Sequence, residues 1–359
     1  MIILSKTFSR EKFQAIFQAQ EQEDGIRLDQ FVMNYFTKWS RQMIKRKIDQ
    51  GDIYIKERPG RNKPSTKIRI NDEVYVESQF TEEAAEIWNG KEIPPDTKLP
   101  MVFEDEGLFV ISKPAFMAVH PTGRHIFHVA TVILEEKYNQ SPLHSVHRLD
   151  RETSGLLLVA RNPTAASELT KQFEKAQVKK VYFFISQTRQ KHEEMSLVEC
   201  NQRLGTEEEG LKRVYINAYP NDSTVGKSAH TDILILKQDS EYTIGLAFPQ
   251  TGRQHQIRVH AQQIGLPLIG DKLYLGNYEM FQRFKDHYAT EQDYIEMQLP
   301  RHALHAIGLK LNYKSKKQSF IAPMAPDLVD FISQKTQFSI KEIETLTQKE
   351  ITNYLGKFD

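Results

Sequence analysis

The sequence predicts an α+β protein in two parts, and three observations support this. Short runs of alternating or continuous apolar residues read as strands, such as IYI at 53–55, LLLVA at 156–160, YFFIS at 182–186 and DILIL at 232–236. Between them lie segments whose apolar residues recur three or four apart, as on one-faced helices. Residues 79–100 turn acidic and then proline-rich, with Pro94, Pro95 and Pro100, and read as an interdomain linker whose acidic part forms a short helix. The predicted order is an N-terminal extension (1–24), a small α/β domain (25–78), the linker (79–100), a main domain (101–333) and a C-terminal helical appendage (334–359).

Composition narrows the class. A chain of 359 residues with 39% hydrophobic and 26% charged residues suits a globular protein with a sizeable core. One cysteine, Cys200, excludes an internal disulfide and a cysteine zinc cluster, and fits a reducing cytoplasm. No run of about eighteen apolar residues suggests a membrane span, and MIILSKTFSREKFQ does not read as a secretory signal. The formal net charge is +1, so any contact with nucleic acid must come from local patches.

In the extension, FQAIFQAQEQEDG reads as a short helix. IRLDQFVMNYF then places Leu28, Phe31, Val32, Tyr35 and Phe36 at helical spacing. Ser40 caps a second helix, RQMIKRKIDQG, which stops at Gly51. IYI and IRINDEVYV follow as short strands, with turns at Arg58-Pro59-Gly60 and Asn71-Asp72. Lys38, Arg41, Lys45, Arg46 and Lys47 on and before the second helix, with Arg61 and Lys63 beyond it, are either a solvated face or a phosphate-binding one.

The main domain opens with a hairpin turned at Glu106-Gly107, followed by a helix in HIFHVATVILEEKY. Next comes HRLDRETSGLLLV, residues 147–159, a cluster of His147, Arg148, Asp150, Arg151 and Glu152 ahead of a buried run. A carboxylate between arginines at that place is a structural ion pair or a positioned nucleophile or base. TAASELTKQFEKAQV is an amphipathic helix with Leu169 and Phe173 inward, and KKVYFFIS a strand. Residues 190–224 read as polar and irregular, with an acidic turn at Glu207-Glu208-Glu209. EYTIGLAF is a strand, but HQIRVHAQQIG fits strand or helix. Either way Arg258, between Ile257 and Val259, needs a partner for its charge. His255 and His260 read as packing histidines, and no carboxylates stand at metal-ligand spacing with them. Ser339 with Glu342 starts a C-terminal helix.

Several of these strings together resemble the RluA-type RNA pseudouridine synthases. The family's central HRLD-x-x-TSG motif is unbroken from His147 to Leu158. Its K-x-Y step matches Lys180-Val181-Tyr182, and its GK-x-A-x-T step matches Gly226 to Thr231. TGR-x-HQIR-x-H, IG-x-P and GD-x-x-Y match Thr251 to Tyr274, and LHA stands at Leu304 to Ala306. Three departures occur: Phe116 stands where the family has a glycine after its KP step (Lys113-Pro114), Leu275 separates Tyr274 from Gly276, and NYKSKKQ follows LHA where the family has a histidine-proline step. A phenylalanine at 116 argues against a positive backbone angle there.

The resemblance implies a catalytic domain with a mixed, largely antiparallel sheet flanked by helices. It implies Asp150 as the catalytic aspartate, with Arg258 paired to it and Tyr182 stacked on the target base. Arg148, His147, Arg253 and Gln256 are the implied substrate contacts. The region around residues 25–78 resembles the alpha-L RNA-binding motif of a small-subunit ribosomal protein, with its contacts on the second helix and with the module carried on a mobile linker. Uridine is isomerised without redox change, so no cofactor and no metal are implied. The target nucleotide is expected to be flipped out. Large-subunit ribosomal RNA is the favoured partner, with transfer RNA open, and a cytoplasmic monomer without membrane association is expected. The competing reading is an RNA-binding assembly factor whose synthase domain no longer turns over.

Overall fold

The computed structural model describes residues 2–8, 12–36, 39–58, 62–79, 86–121, 125, 127–206 and 214–358. They form two compact units, Met1–Ala85 with Ala118–Leu143, and Glu86–Met117 with His144–Asp359. No described helix is long and apolar enough to cross a membrane.

The first unit is a four-stranded antiparallel sheet in the order β1-β2-β4-β3, from β1 (Ile2–Phe8), β2 (Lys12–Gln18), β3 (Ile53–Ile55) and β4 (Glu73–Gln79). Helices α1 (Leu28–Tyr35) and α2 (Arg41–Gln50) bury Leu28, Phe31, Val32, Ile44 and Ile48 with the inward strand residues. Also in this unit is α3 (Ala130–Tyr138), preceded by Phe127, which joins the same cluster. Ser40 Oγ accepts from Met43 N at 3.1 Å, and Gly51 closes α2 at φ +89°.

The helix expected at residues 13–25 is instead strand β2, ending in a single turn at Glu21–Glu23. Phe13, Ala15 and Phe17 are each 1% exposed, a period-two pattern that pairing with β1 and β4 satisfies. The segment is thus part of this unit's sheet rather than an extension. Of IRINDEVYV, only the part from Glu73 is strand. Pro59, Gly60 and most of the acidic stretch before Glu86 lie outside the described residues.

The second unit is built on a ten-stranded sheet. Before it come β5 (Glu86–Trp88) and β6 (Lys91–Ile93), a hairpin where a linker with a short helix in its acidic part was expected. Trp88 stacks on Phe284 at 5.8 Å, a contact that gives the hairpin a reason to order. The sheet strands in chain order are β7 (Met101–Glu104), β8 (Leu108–Lys113), β9 (His144–Ser145), β10 (Ser154–Ala160), β11 (Lys179–Gln187) and β12 (Leu197–Cys200). A small ribbon follows, β13 (Arg203–Gly205) with β14 (Asn217–Tyr219). Then come β15 (Thr231–Gln238), β16 (Tyr242–Pro249), β17 (Leu304–Tyr313) and β18 (Lys316–Ile321). Residues 190–224 therefore contain three strands where an irregular stretch was expected; the acidic turn 207–209 lies outside the described residues.

The sheet order is β12-β15-β16-β11-β17-β10-β8-β7, with β9 on β10 and β18 on β17. All pairings are antiparallel except β10 with β17, which run parallel at Ser154–His305 and Gly155–Ala306. The close approach there demands glycine. Gly155 has φ +106°, and a Cβ on it would lie 2.2 Å from the Ala306 carbonyl oxygen.

Helices cover both faces. On one side α8 (Pro326–Lys335) and α9 (Ile340–Gly356) pack Leu328, Phe331, Ile343, Ile351 and Leu355 onto Val181, Phe183 and Ile185. The C-terminal helix is thus core structure, and Lys310 Nζ donates to its last-turn Leu355 carbonyl at 2.9 Å. On the other side α5 (Gln256–Gln263) buries Ile257 and Ala261 against Phe184, Ile233 and Ala247. The unit also includes α4 (Pro163–Glu174), α6 (Tyr278–Lys285) and α7 (Glu291–Met297). Period-two alternation along β11 sends Val181 and Phe183 toward α8 and α9, and Tyr182 with Phe184 toward α5.

Candidate active site

Three segments from distant parts of the chain meet on the α5 side. The turn at Asp150–Thr153, closed by Thr153 N donating to Asp150 O at 3.0 Å, leads into β10. Tyr182 is half-buried on β11. HQIRVHAQQIG resolves as a helix, so its periodicity is three to four rather than two, and Arg258 points from the buried face of α5.

Arg258 joins two carboxylates. Its Nε and Nη2 donate to Asp271 Oδ2 and Oδ1 at 2.6 and 2.7 Å, and its Nη1 donates to Asp150 Oδ2 at 3.2 Å. The bidentate partner is therefore Asp271, not Asp150 as expected. Asp271 is fully buried and also accepts from Leu273 N and Tyr274 N, so it caps the turn that follows. The Tyr274 ring lies under the guanidinium at 5.0 Å, and the Tyr274 hydroxyl meets His255 Nδ1 at 2.9 Å. Asp150 keeps a side-chain exposure of 37%, whereas Asp271 has 0%. One carboxylate fixes the arginine and the other faces outward.

The electrostatics follow from this placement. Burial pushes the Asp150 pKa up, but the charges of His255, Arg258 and His302 outweigh it and the net shift is down. Of these three, only the guanidinium is charged at neutral pH, because burial holds His255 at about 4 and lowers His302. Arg258 is itself raised against the cost of burial by Asp271 and Asp150, so it stays cationic. Tyr182 is pushed up, first by burial and then by the Asp150 carboxylate, so its phenol is neutral and it senses Asp150's charge.

The other expected substrate contacts divide. Arg148 is exposed and makes no ion pair among the described residues. Arg253 is exposed, with Nε donating to the Ser228 carbonyl at 2.9 Å. Gln256 is buried instead: its oxygen accepts from Thr251 Oγ1 and Arg253 N, and its amide donates to His230 O and Thr231 Oγ1. All of its capacity goes to ordering the loop before α5, so it is a scaffold residue. His147 likewise turns inward. It accepts from Leu158 N at 3.0 Å, stacks on Phe173 at 4.6 Å, and is held near 3 by burial, with Lys180's charge adding to the shift. Both corrections have one cause, a polar side chain beside a buried run satisfying backbone groups that water cannot reach.

On the first unit, Lys45, Arg46 and Lys63 are exposed, and Arg41 is 57% exposed while paired to Asp29 at 3.3 Å. Lys47 is not on that face. It is fully buried, with Asp52 at 3.5 Å and the Trp39 ring at 5.4 Å. Lys38 and Arg61 lie outside the described residues.

Asp271, Glu152, His302 and Lys113 were missed as site residues. Lys113 Nζ, fully buried, donates to the carbonyls of Pro114, Met117 and Arg151 at 2.8–3.2 Å, which fixes the turn from behind. The available signal was chemical: Asp271 and Lys272 are two charges inside the otherwise apolar run LPLIGDKLYL, and charges so placed require partners. Phe116 takes φ +62° despite its side chain, the conformation a glycine would supply, with the Arg151 guanidinium 5.8 Å from its ring. Among the described residues no cluster of three or more His, Cys, Asp or Glu could hold a metal.

The chain is similar to known proteins along most of its length. The family model described as RNA pseudouridylate synthase matches residues 107–263. A ribosomal large subunit pseudouridine synthase C from Vibrio parahaemolyticus is 30% identical over 314 residues, covering 85% of this chain and 91% of the relative. A ribosomal large subunit pseudouridine synthase D from Pseudomonas aeruginosa is 28% identical over 323 residues, 86% of this chain and 92% of the relative. Among solved structures, human RNA pseudouridylate synthase domain containing 1 superposes with TM-score 0.53 at 22% identity, over 71% of this chain and 97% of that one, and supports the fold.

Proposed function

The chain belongs to the RNA pseudouridylate synthase family and is an RNA pseudouridine synthase, an isomerase; from that premise we propose that it acts on large-subunit ribosomal RNA through Asp150, Arg258 and Tyr182. One observation carries the site assignment. Arg258 contacts Asp150 at 3.2 Å while more than a third of that carboxylate remains open, so the anion is aimed but available. The ribosomal substrate rests on what the relatives are named for.

The chemistry requires the bond between ring nitrogen one and the ribose to break. A bond from ring carbon five to the ribose forms, carbon five loses a proton, and nitrogen one gains one. Asp150, ionised and lowered in pKa, serves as nucleophile or base. Tyr182 stacks on the uracil, and its neutral hydroxyl moves the carbon-five proton by relay, donating its own as it accepts another. The target nucleotide leaves its stack to reach Asp150, with exposed Arg148 and Arg253 on its backbone. Lys45, Arg46, Lys63 and Arg41 of the first unit supply phosphate contacts in the manner of an alpha-L motif. All candidate residues come from one chain, so a monomer suffices.

The test is pseudouridine mapping of total cellular RNA with and without the gene, rescued by wild type and by Asp150→Asn. A ribosomal site that only wild type restores establishes substrate and residue together. A vanished site in transfer RNA moves the substrate, and no change in any RNA class removes the proposal.

A further inference from the structure

A second charged network lies beside Asp150 and has no part in the chemistry above. Glu152, two residues downstream in the same turn, has a side chain 19% exposed. Its Oε1 accepts from Lys272 Nζ at 3.0 Å, and its Oε2 accepts from the backbone N of His302 at 3.1 Å, with His302 Nδ1 at 3.4 Å. The far ring nitrogen of His302, Nε2, meets Thr153 Oγ1 at 2.8 Å. Lys272 also donates to the Pro300 carbonyl at 2.6 Å.

The connections matter more than the contacts. Lys272 directly follows Asp271, so two ionic links tie the same two turns together: Asp150 to Asp271 through Arg258, and Glu152 to Lys272 directly. Among the described residues the Asp150 carboxylate has one side-chain donor, Arg258 Nη1, at the long end of the hydrogen-bond range. That contact orients one oxygen but does not by itself set how far the carboxylate reaches. The position of the carboxylate is set by the backbone of the 150–153 turn, which Lys113 holds at the Arg151 carbonyl and which the side chains of Glu152 and Thr153 hold from the other side. His302 reaches both ends, Nδ1 toward Glu152 and Nε2 toward the threonine hydroxyl, an arrangement that a neutral ring with its proton on Nδ1 satisfies. Burial lowers its pKa, which keeps it in this neutral form.

We propose that Glu152, with Lys272 and His302, is a positioning residue that sets the reach of Asp150 into the substrate site. The proposal rests on Asp150 being the reacting carboxylate. Misplacing a reacting group by about 1 Å costs on the order of 100-fold in rate, so loss of the brace lowers the chemical step while leaving RNA affinity to the exposed cations.

The experiment is single-turnover pseudouridine formation, with excess protein and total RNA from cells lacking the gene, read at the mapped site for wild type, Glu152→Gln, Glu152→Gln with Lys272→Met, Thr153→Val and Asp150→Asn. The double variant removes both charges of the pair, a change that is often near neutral for stability. The expected result is a saturating rate reduced roughly 10- to 100-fold in Glu152→Gln and in the double variant. The protein concentration for half-maximal rate stays within about twofold, and the double variant melts near wild type. If only Thr153→Val yields folded protein, its rate decides in the same way. A wild-type rate in whichever of these variants is folded overturns the proposal. An active Asp150→Asn overturns the site assignment instead, so the two failures are separable.

Discussion

Arginine and lysine serve opposite ends in the two units. In the second unit Arg258 is 8% exposed and bridges two carboxylates; in the first, Lys45 and Arg46 stand exposed on α2. The buried guanidinium is specific because each of its contacts has a fixed geometry. The helix cations act by charge and count, which suits a backbone read without regard to sequence. Lys47 shows that residue type does not decide between the two uses. It sits in the same basic run as Lys45 and Arg46, yet α2 turns it onto the apolar face, beside Trp39 and Asp52. What separates the two regions is whether the surroundings can supply partners in place of water.

Removing a partner on each side breaks the comparison most sharply. Asp271→Ala leaves the buried Arg258 with one long contact and uncaps the following turn, so unfolding free energy should fall by about 3–5 kcal/mol. Lys45→Ala should change it by less than about 0.5 kcal/mol. Chemical denaturation of both variants checks the contrast; equal losses would refute it.

Acid should separate the regions next. His147 and His305 are buried neutral and held near 3, against an ordinary value of 6.5. The unfolded chain takes up these protons as pH falls below 6.5 while the folded chain does not. Their stabilisation is therefore complete above that pH and is lost between about 6.5 and 3. The loss by pH 5 is on the order of 2 kcal/mol per histidine as an upper bound. Asp150, Glu152 and Asp271, whose values are lowered, lose theirs only as pH falls below the ordinary carboxylate range. A denaturation midpoint that does not move between pH 7 and pH 5 would contradict the assignment of neutral, buried histidines.

The smallest effect sharpens the other side. Lys45→Ala with Arg46→Ala should weaken RNA binding and reduce the slope of log affinity against log salt by roughly 1.4–1.8, the value for two lost phosphate contacts. Titrations at three salt concentrations measure it. An unchanged slope would return α2 to a solvated face.

The proposed site was legible in the sequence where a residue is assigned to touch the substrate and poorly legible where it holds another residue. Asp150, Tyr182 and the need of Arg258 for a partner could be read from the motifs and from a charge among apolar neighbours. Which carboxylate takes the bidentate place could not, because Asp271 reaches Arg258 only after α5 and the turn at 272–276 have formed. His147 and Gln256 stand in the same motifs as the residues proposed to react but satisfy the protein's own backbone and side chains, a distinction that depends on burial. The fold failed to read in the same manner. KFQAIFQ fits both periods, and its pairing with β1 and β4 decides for the strand. Phe116 shows the converse, a left-handed backbone kept without the glycine that would announce it.

The most direct test of the account is the turnover of Asp150→Asn with its RNA affinity measured alongside. Aspartate and asparagine are close in size, and the substitution removes the charge that Arg258 aims. The account predicts a loss of pseudouridine formation beyond about 10⁴-fold, a barrier change near 5.4 kcal/mol, with affinity within a few-fold of wild type. Wild-type turnover in that variant would contradict it, and would make the bridge from Asp150 through Arg258 to Asp271 a structural ion pair.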